Sequence, residues 1–279
     1  MNGPKLKVRD FIYFLLKHSL MNKSKVALFL SVIVLVFVSC KTPPAEKNVI
    51  REKHNYIVLL DLSDRIIVQE NQIARDKEMI EYIYSLFEAK VKKDLYLKSR
   101  DEIKVVIAPQ RGSKLRTEKF EDRLYVNMKN IDMVKRRKME AARRTAFYGN
   151  IDTLYKRAKF SNKPSDYYGA DIWKYFYEDL KQDYSNDTLT KNFLIILTDG
   201  YPVVGQNREK LQPLKSKYPN LHIIIVEAAP WDKDKEWDHI TNLWSDWFKE
   251  IGISDSNYTL IKRSAISKEK EQIEDIVGM

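Results

Sequence analysis

The residues best equipped for chemistry fall in two short stretches: Asp61, Leu62, Ser63, Asp64 and Arg65, and then Thr198, Asp199 and Gly200. Together they offer carboxylates, hydroxyls and one guanidinium, and several familiar chemistries can be set aside from their surroundings. Ser63 has no Gly-x-Ser-x-Gly turn around it to expose a nucleophile. A dinucleotide-binding turn needs glycines so that the backbone can approach a pyrophosphate, whereas the first stretch has none and the chain holds only 8. After position 39 the histidines are His54, His222 and His239, with no His-x-x-x-His spacing for zinc. We expect His54 in a linker, His222 at the start of a strand and His239 on a helix, each placed by packing or solvent.

Both stretches follow apolar, β-branched runs. Tyr56 to Leu60 ends at Asp61, and Phe193 to Leu197 ends at Thr198. Ile103 to Ala108, Leu221 to Val226 and the shorter Tyr258 to Ile261 have the same character, that of strands buried on both faces of a parallel sheet. Between them lie helical spacings: Met79, Ile83, Leu86 and Phe87; Asp171 to Leu180; Ile240, Leu243, Trp244, Trp247 and Ile251; and a last helix with Ile273 and Ile276. Alternation of this kind predicts an α/β fold, a Rossmann-like, mostly parallel sheet with helices on both faces. Such sheets bind ligands beyond the carboxyl ends of their strands, which is where Asp61 and Asp199 should stand.

At these motifs the chain resembles the von Willebrand factor A domain family, from about Asn55 to the C-terminus in element order. The family's first loop reads Asp-x-Ser-x-Ser, a second loop adds a threonine, and a third adds an aspartate, often within Thr-Asp-Gly. The resemblance implies a non-catalytic docking site built on a divalent ion, Mg2+ or Mn2+, whose coordination an acidic residue of a partner completes. Asp61, Ser63 and Asp199 match the ligand positions, and Thr198 and Gly200 match the flanks of the third. Arg65 stands where the second serine belongs, and a guanidinium only donates and repels a cation. In the segment matching the threonine loop, Tyr168 to Ile172, Ala170 occupies the hydroxyl position.

Two arrangements follow. In one, the ion is kept by Asp61, Ser63 and Asp199, with water, Asp64 or Asp171 filling the gaps. In the other, Arg65 takes the space and pairs with Asp61 or Asp199 without metal. A plainer alternative has the two aspartates capping loops or helices in a metal-free structural envelope protein. An enzymatic alternative is a metal-dependent hydrolase similar to haloacid dehalogenase-type phosphatases, which also place an aspartate after the first strand. That family needs a second aspartate two residues on, and Ser63 is found there.

The first 40 residues set the compartment. Lys23 and Lys25 precede an apolar run from Val26 to Val38, then Ser39 and Cys40, the order of a lipoprotein signal peptide. The run is well short of the roughly 20 residues that span a bilayer. Phe37, Val38 and Ser39 resemble a lipobox, with Phe37 in place of the usual leucine. We therefore expect residues 1–39 to be a signal segment, with translation starting at Met21 as one option, and residues 40–54 to be a lipid anchor and linker containing Pro43 and Pro44. Residues 55–279 would form one domain. Lipidation of Cys40 uses the only cysteine, so neither a disulfide nor a thiol nucleophile remains, and several acyl chains give durable anchoring.

Six of the basic residues and one acid lie before Cys40, so half of the formal charge of +10 belongs to the leader and +5 remains. That mild excess is compatible with anionic lipid headgroups or polyanions and is far from a nucleic-acid signature. The expected protein is an extracytoplasmic, membrane-anchored lipoprotein of the cell envelope, in the periplasm or at the outer membrane of a Gram-negative cell, binding another envelope protein. Lys135, Arg136, Arg137 and Lys138, followed by Arg143 and Arg144, read as a solvated helix face with the option of meeting phosphate or lipid headgroups. Trp173, Tyr177, Trp244 and Trp247 are expected in the core, while Tyr168, Trp231 and Trp237 are candidates for a docking rim.

Overall fold

The computed structural model describes residues 51–110, 115–161, 169–200, 214–215, 217–227 and 234–278. The expectations for the leader, Cys40, Tyr168 and Trp231 lie outside the described residues. Among those residues no helix is long and apolar enough to cross a membrane.

Strand β1 (Lys53–Leu60) is followed by a short helix α1 (Arg65–Val68) and the long α2 (Gln72–Lys93), which returns along the sheet to β2 (Glu102–Ile107). Next come α3 (Glu118–Glu121), β3 (Tyr125–Asn127), α4 (Met133–Lys138) and α5 (Glu140–Ser161). The second half holds α6 (Ile172–Glu178), α7 (Leu180–Asp183), β4 (Thr190–Leu197), β5 (Leu221–Val226), α8 (Asp234–Glu250), β6 (Tyr258–Ile261) and α9 (Ile266–Val277). The six strands lie in the order β3-β2-β1-β4-β5-β6, and every pair is parallel except β2 with β3. This is the expected α/β, Rossmann-like sheet with one antiparallel edge strand.

Strand pleating divides the core in two. Tyr56, Val58 and Leu60 project toward α2, α5 and α9, where Ile80, Ile83, Phe87, Phe147, Leu154 and Ile273 complete one apolar layer. Ile57 and Leu59 face α6 and α8, against Phe176, Trp244, Trp247 and Phe248. Apolar residues on both sides of each central strand explain why those runs are continuous rather than alternating.

Several details depart from expectation. Strand β1 begins at Lys53, so His54 belongs to the sheet, not to the linker. The polarity that suggested a linker is satisfied internally: Lys53 pairs with Glu102, and the His54 ring meets the Tyr56 hydroxyl and Glu52, each at 3.0 Å. The basic run does not form one continuous solvated face. It spans α4 and the start of α5, and Arg136 is buried. Tyr177 is exposed rather than packed, whereas Trp173 stacks on Trp247 with ring centroids 4.9 Å apart.

Candidate functional site

Strand order reverses direction between β1 and β4, and the gap this opens at their carboxyl ends is the usual ligand position in such sheets. Asp61 leaves β1 there, with its amide donating to Leu197 O at 3.0 Å. Thr198, Asp199 and Gly200 leave β4, and Glu227 leaves β5. The segment before α6 reaches the same edge, because Ala170 bridges to Gln110 and the Asp171 amide donates to Pro109 O at 2.7 Å. Gly200 has φ +91°, a conformation that favours glycine, and its carbonyl accepts from the Trp244 indole at 2.8 Å.

The Asp61 carboxylate is buried and already engaged. Its Oδ1 accepts from the Ser63 amide at 2.8 Å and its Oδ2 from the Thr198 hydroxyl at 2.8 Å. Arg65, only 1% exposed, turns back under this loop. Its Nε donates to Asp61 O at 2.8 Å, and one terminal nitrogen donates to Asp76 Oδ2 at 2.8 Å and Leu197 O at 3.0 Å. The other terminal nitrogen stands 3.9 Å from Glu227, and Nε is 4.0 Å from Asp61 Oδ2. A guanidinium thus sits among three carboxylates, and charge-assisted bonds of this kind are among the strongest that side chains form.

The network extends from there. Tyr155 and Gln72 donate to Asp76 at 2.8 and 2.9 Å. Gln72 also reaches Glu227, which Arg75 grips from the other side. Arg75 continues to both oxygens of Glu269, and Arg263 donates to Gln69 and Gln72. Burial opposes the charge on Arg65, but Asp76, Asp61, Tyr155 and Glu227 together outweigh it and hold its pKa above the ordinary value. Burial pushes Asp76 upward, Arg65 pulls it down, and nearby Glu227 adds to the rise. Glu227 has φ +63°, a sparsely populated region for a side chain with a Cβ, tolerated where surrounding contacts overdetermine it.

The other residues expected as ligands lie around this edge. Ser63 is buried and lends its backbone to Asp61 and to the first turn of α1. Asp64 is exposed, and its carbonyl accepts the amides of Ile67 and Val68. Asp171 caps α6, with Oδ1 accepting from the Lys174 amide at 2.9 Å. Asp199 is half-buried beside Thr198. Among the described residues no three His, Cys, Asp or Glu side chains converge as a ligand group. A permanent cation 4.0 Å from Asp61 Oδ2 opposes a divalent ion here, which would have to displace the guanidinium or bear its repulsion.

Sequence reasoning missed Asp76, Tyr155 and Glu227. Glu227 carried a usable signal, since it follows a buried strand just as Asp61 does. Asp76 and Tyr155 sit on helices 11 and 90 residues after Arg65, and nothing local marks them as its partners. Compared with known proteins, the chain matches no family model, and no curated protein matches it.

Proposed function

We propose that this chain is an exported lipoprotein, anchored through Cys40, whose von Willebrand factor A-like domain is a non-catalytic protein-binding module of the cell envelope. In this reading the carboxyl edge of the sheet is the docking surface, and Arg65 does the structural work that a divalent ion does in the family the motifs resemble. The observation that carries the metal-free form is the Arg65 guanidinium within reach of Asp61, Asp76 and Glu227. A fixed positive charge there holds the β1 and β4 loops together without the exchangeable ligand position that a metal offers. The anchor rests on the sequence around Cys40, with its basic flank and short apolar run.

Calorimetric titration of the protein with magnesium and manganese should give no binding heat, and Arg65→Ser should gain some. Saturable binding by the native chain would overturn the metal-free form. A photo-crosslinking residue placed at exposed Asp64 or Val68, beside the proposed docking edge, should capture an envelope protein in cells. One at Leu189, which lies beside the amino end of β4, should not. Metal-dependent phosphatase turnover that disappears in Asp61→Asn would replace docking with hydrolysis.

A further inference from the structure

The opposite end of the domain has a distinct character. Helix α2 ends at Lys93, and the loop that follows places Leu95 and Tyr96 at φ +55° and +57°, a costly conformation for residues with side chains. The outcome is unusual, because Leu95 and Leu97 are 63% and 57% exposed. The loop is fastened to α4 by Arg136. Its guanidinium donates to the carbonyls of Tyr96, Leu97 and Ser99 at 2.8 to 3.1 Å and to Ile131 O at 3.0 Å. Helix α4 adds Met133 and Val134, which are 60% and 86% exposed.

Basic side chains surround these apolar ones. Residues 92–100 and 128–139 hold nine lysines and arginines against Asp94 and Asp132, a surplus larger than the +5 remaining after position 39. Lys93, Lys129, Lys135, Arg137 and Lys138 are exposed. This surface also lies where the chain enters the domain, since Arg51 donates to Lys93 O and to Asp94 at 3.2 and 2.9 Å. Cys40 is 11 residues before Arg51, and even fully extended those residues reach at most about 40 Å.

The geometry points to a lipid-contact face: the loop at Leu95 to Ser99 and helix α4 rest on anionic headgroups, with leucine, methionine and valine side chains entering the interface. Apolar residues in a basic field are the chemistry of interfacial membrane binding. The inference rests on the reading of Cys40 as the lipid anchor, which brings this face within reach of the bilayer. It deepens that reading by fixing an orientation, with the Asp61 and Thr198 edge turned away from the lipid.

The test uses the full chain, taken from membranes and reconstituted into phosphatidylcholine vesicles with or without phosphatidylglycerol. A fluorophore is attached at Leu97→Cys, Val134→Cys or, as the far-edge control, Val68→Cys. All three positions are exposed, and circular dichroism checks their folding. Brominated lipid should quench the labels at 97 and 134 but not at 68, and the quenching should fall when phosphatidylglycerol is left out. Lys135→Gln and Lys138→Gln should each weaken the contact equilibrium roughly fivefold. Equal quenching at all three sites, or none at 97 and 134, overturns the face. So does shielding of those labels from an aqueous quencher without lipid quenching, which would mark a protein partner there. The mass of the amino-terminal peptide from the same preparation reports lipidation of Cys40 separately, so the anchor can fail while the quenching still decides the face.

Discussion

Arg65 departs most from the motif that surrounds it, and it is the most constrained side chain at the candidate site. Removing one partner of a buried ion pair leaves the other charge uncompensated, which typically costs about 3–5 kcal/mol. Arg65→Met should therefore destabilise the domain by that amount in urea unfolding, with Asp76 and Glu227 left buried. Thr198→Val removes one hydrogen bond to Asp61 and should cost about 1–3 kcal/mol. Arg65 was legible as an oddity because a guanidinium cannot replace a serine hydroxyl. Its main partner was not, since Asp76 lies a helix away and only the return of α2 beneath the loop brings them together.

His54 makes a prediction in pH. Burial, as the largest influence, lowers its pKa below 6.5, against the opposing pull of Glu52. The folded state therefore favours neutral imidazole. The associated stability is present above 6.5 and is lost as pH falls from there through the folded value. His222 shifts the same way through burial. Thermal unfolding between neutral and mildly acidic pH should show falling stability, and His54→Gln should flatten that slope while leaving the share due to His222. An unchanged slope would mean that His54 binds its proton equally well in the folded and unfolded chain.

At the scale of elements, the strands buried on both faces were the most legible, because their apolar runs are continuous and end in turn residues. Strand β3 was not. It has three residues, lies at the edge and pairs antiparallel, so Tyr125 and Asn127 remain polar neighbours of Glu102. The basic run was legible as helical but not as interrupted: α4 ends at Lys138, α5 begins at Glu140, and Arg136 turns inward to the Leu95 loop. Helix α8 carries a testable share of the second core layer. Trp247 stacks on Trp173 and meets Phe176 edge-on at 4.8 Å, so Trp247→Ala should cost about 3–5 kcal/mol. Denaturant unfolding followed by tryptophan fluorescence would measure it.

For the whole molecule, stability should be graded across the sheet. Strands β1 and β4 share eight residue pairs at the centre, and β1 pairs with β2 over six more. Hydrogen exchange should be slowest there and fastest in β3, which is held by three pairs on one side. Faster exchange in β1 than in β3 would contradict a core centred on those ladders.

The position of β1 also has a mechanical consequence. Among the described residues it is the first element, and like β4 and β5 it is flanked on both sides by parallel ladders. Under the proposed anchoring at Cys40, tension between the bilayer and a protein held at the far edge would run along β1 and load both ladders in shear, so that their hydrogen bonds resist together instead of unzipping one at a time. Pulled from its amino end in a single-molecule force experiment, the domain should yield at a higher force than when pulled from α9, whose route into the sheet passes through the edge strand β6.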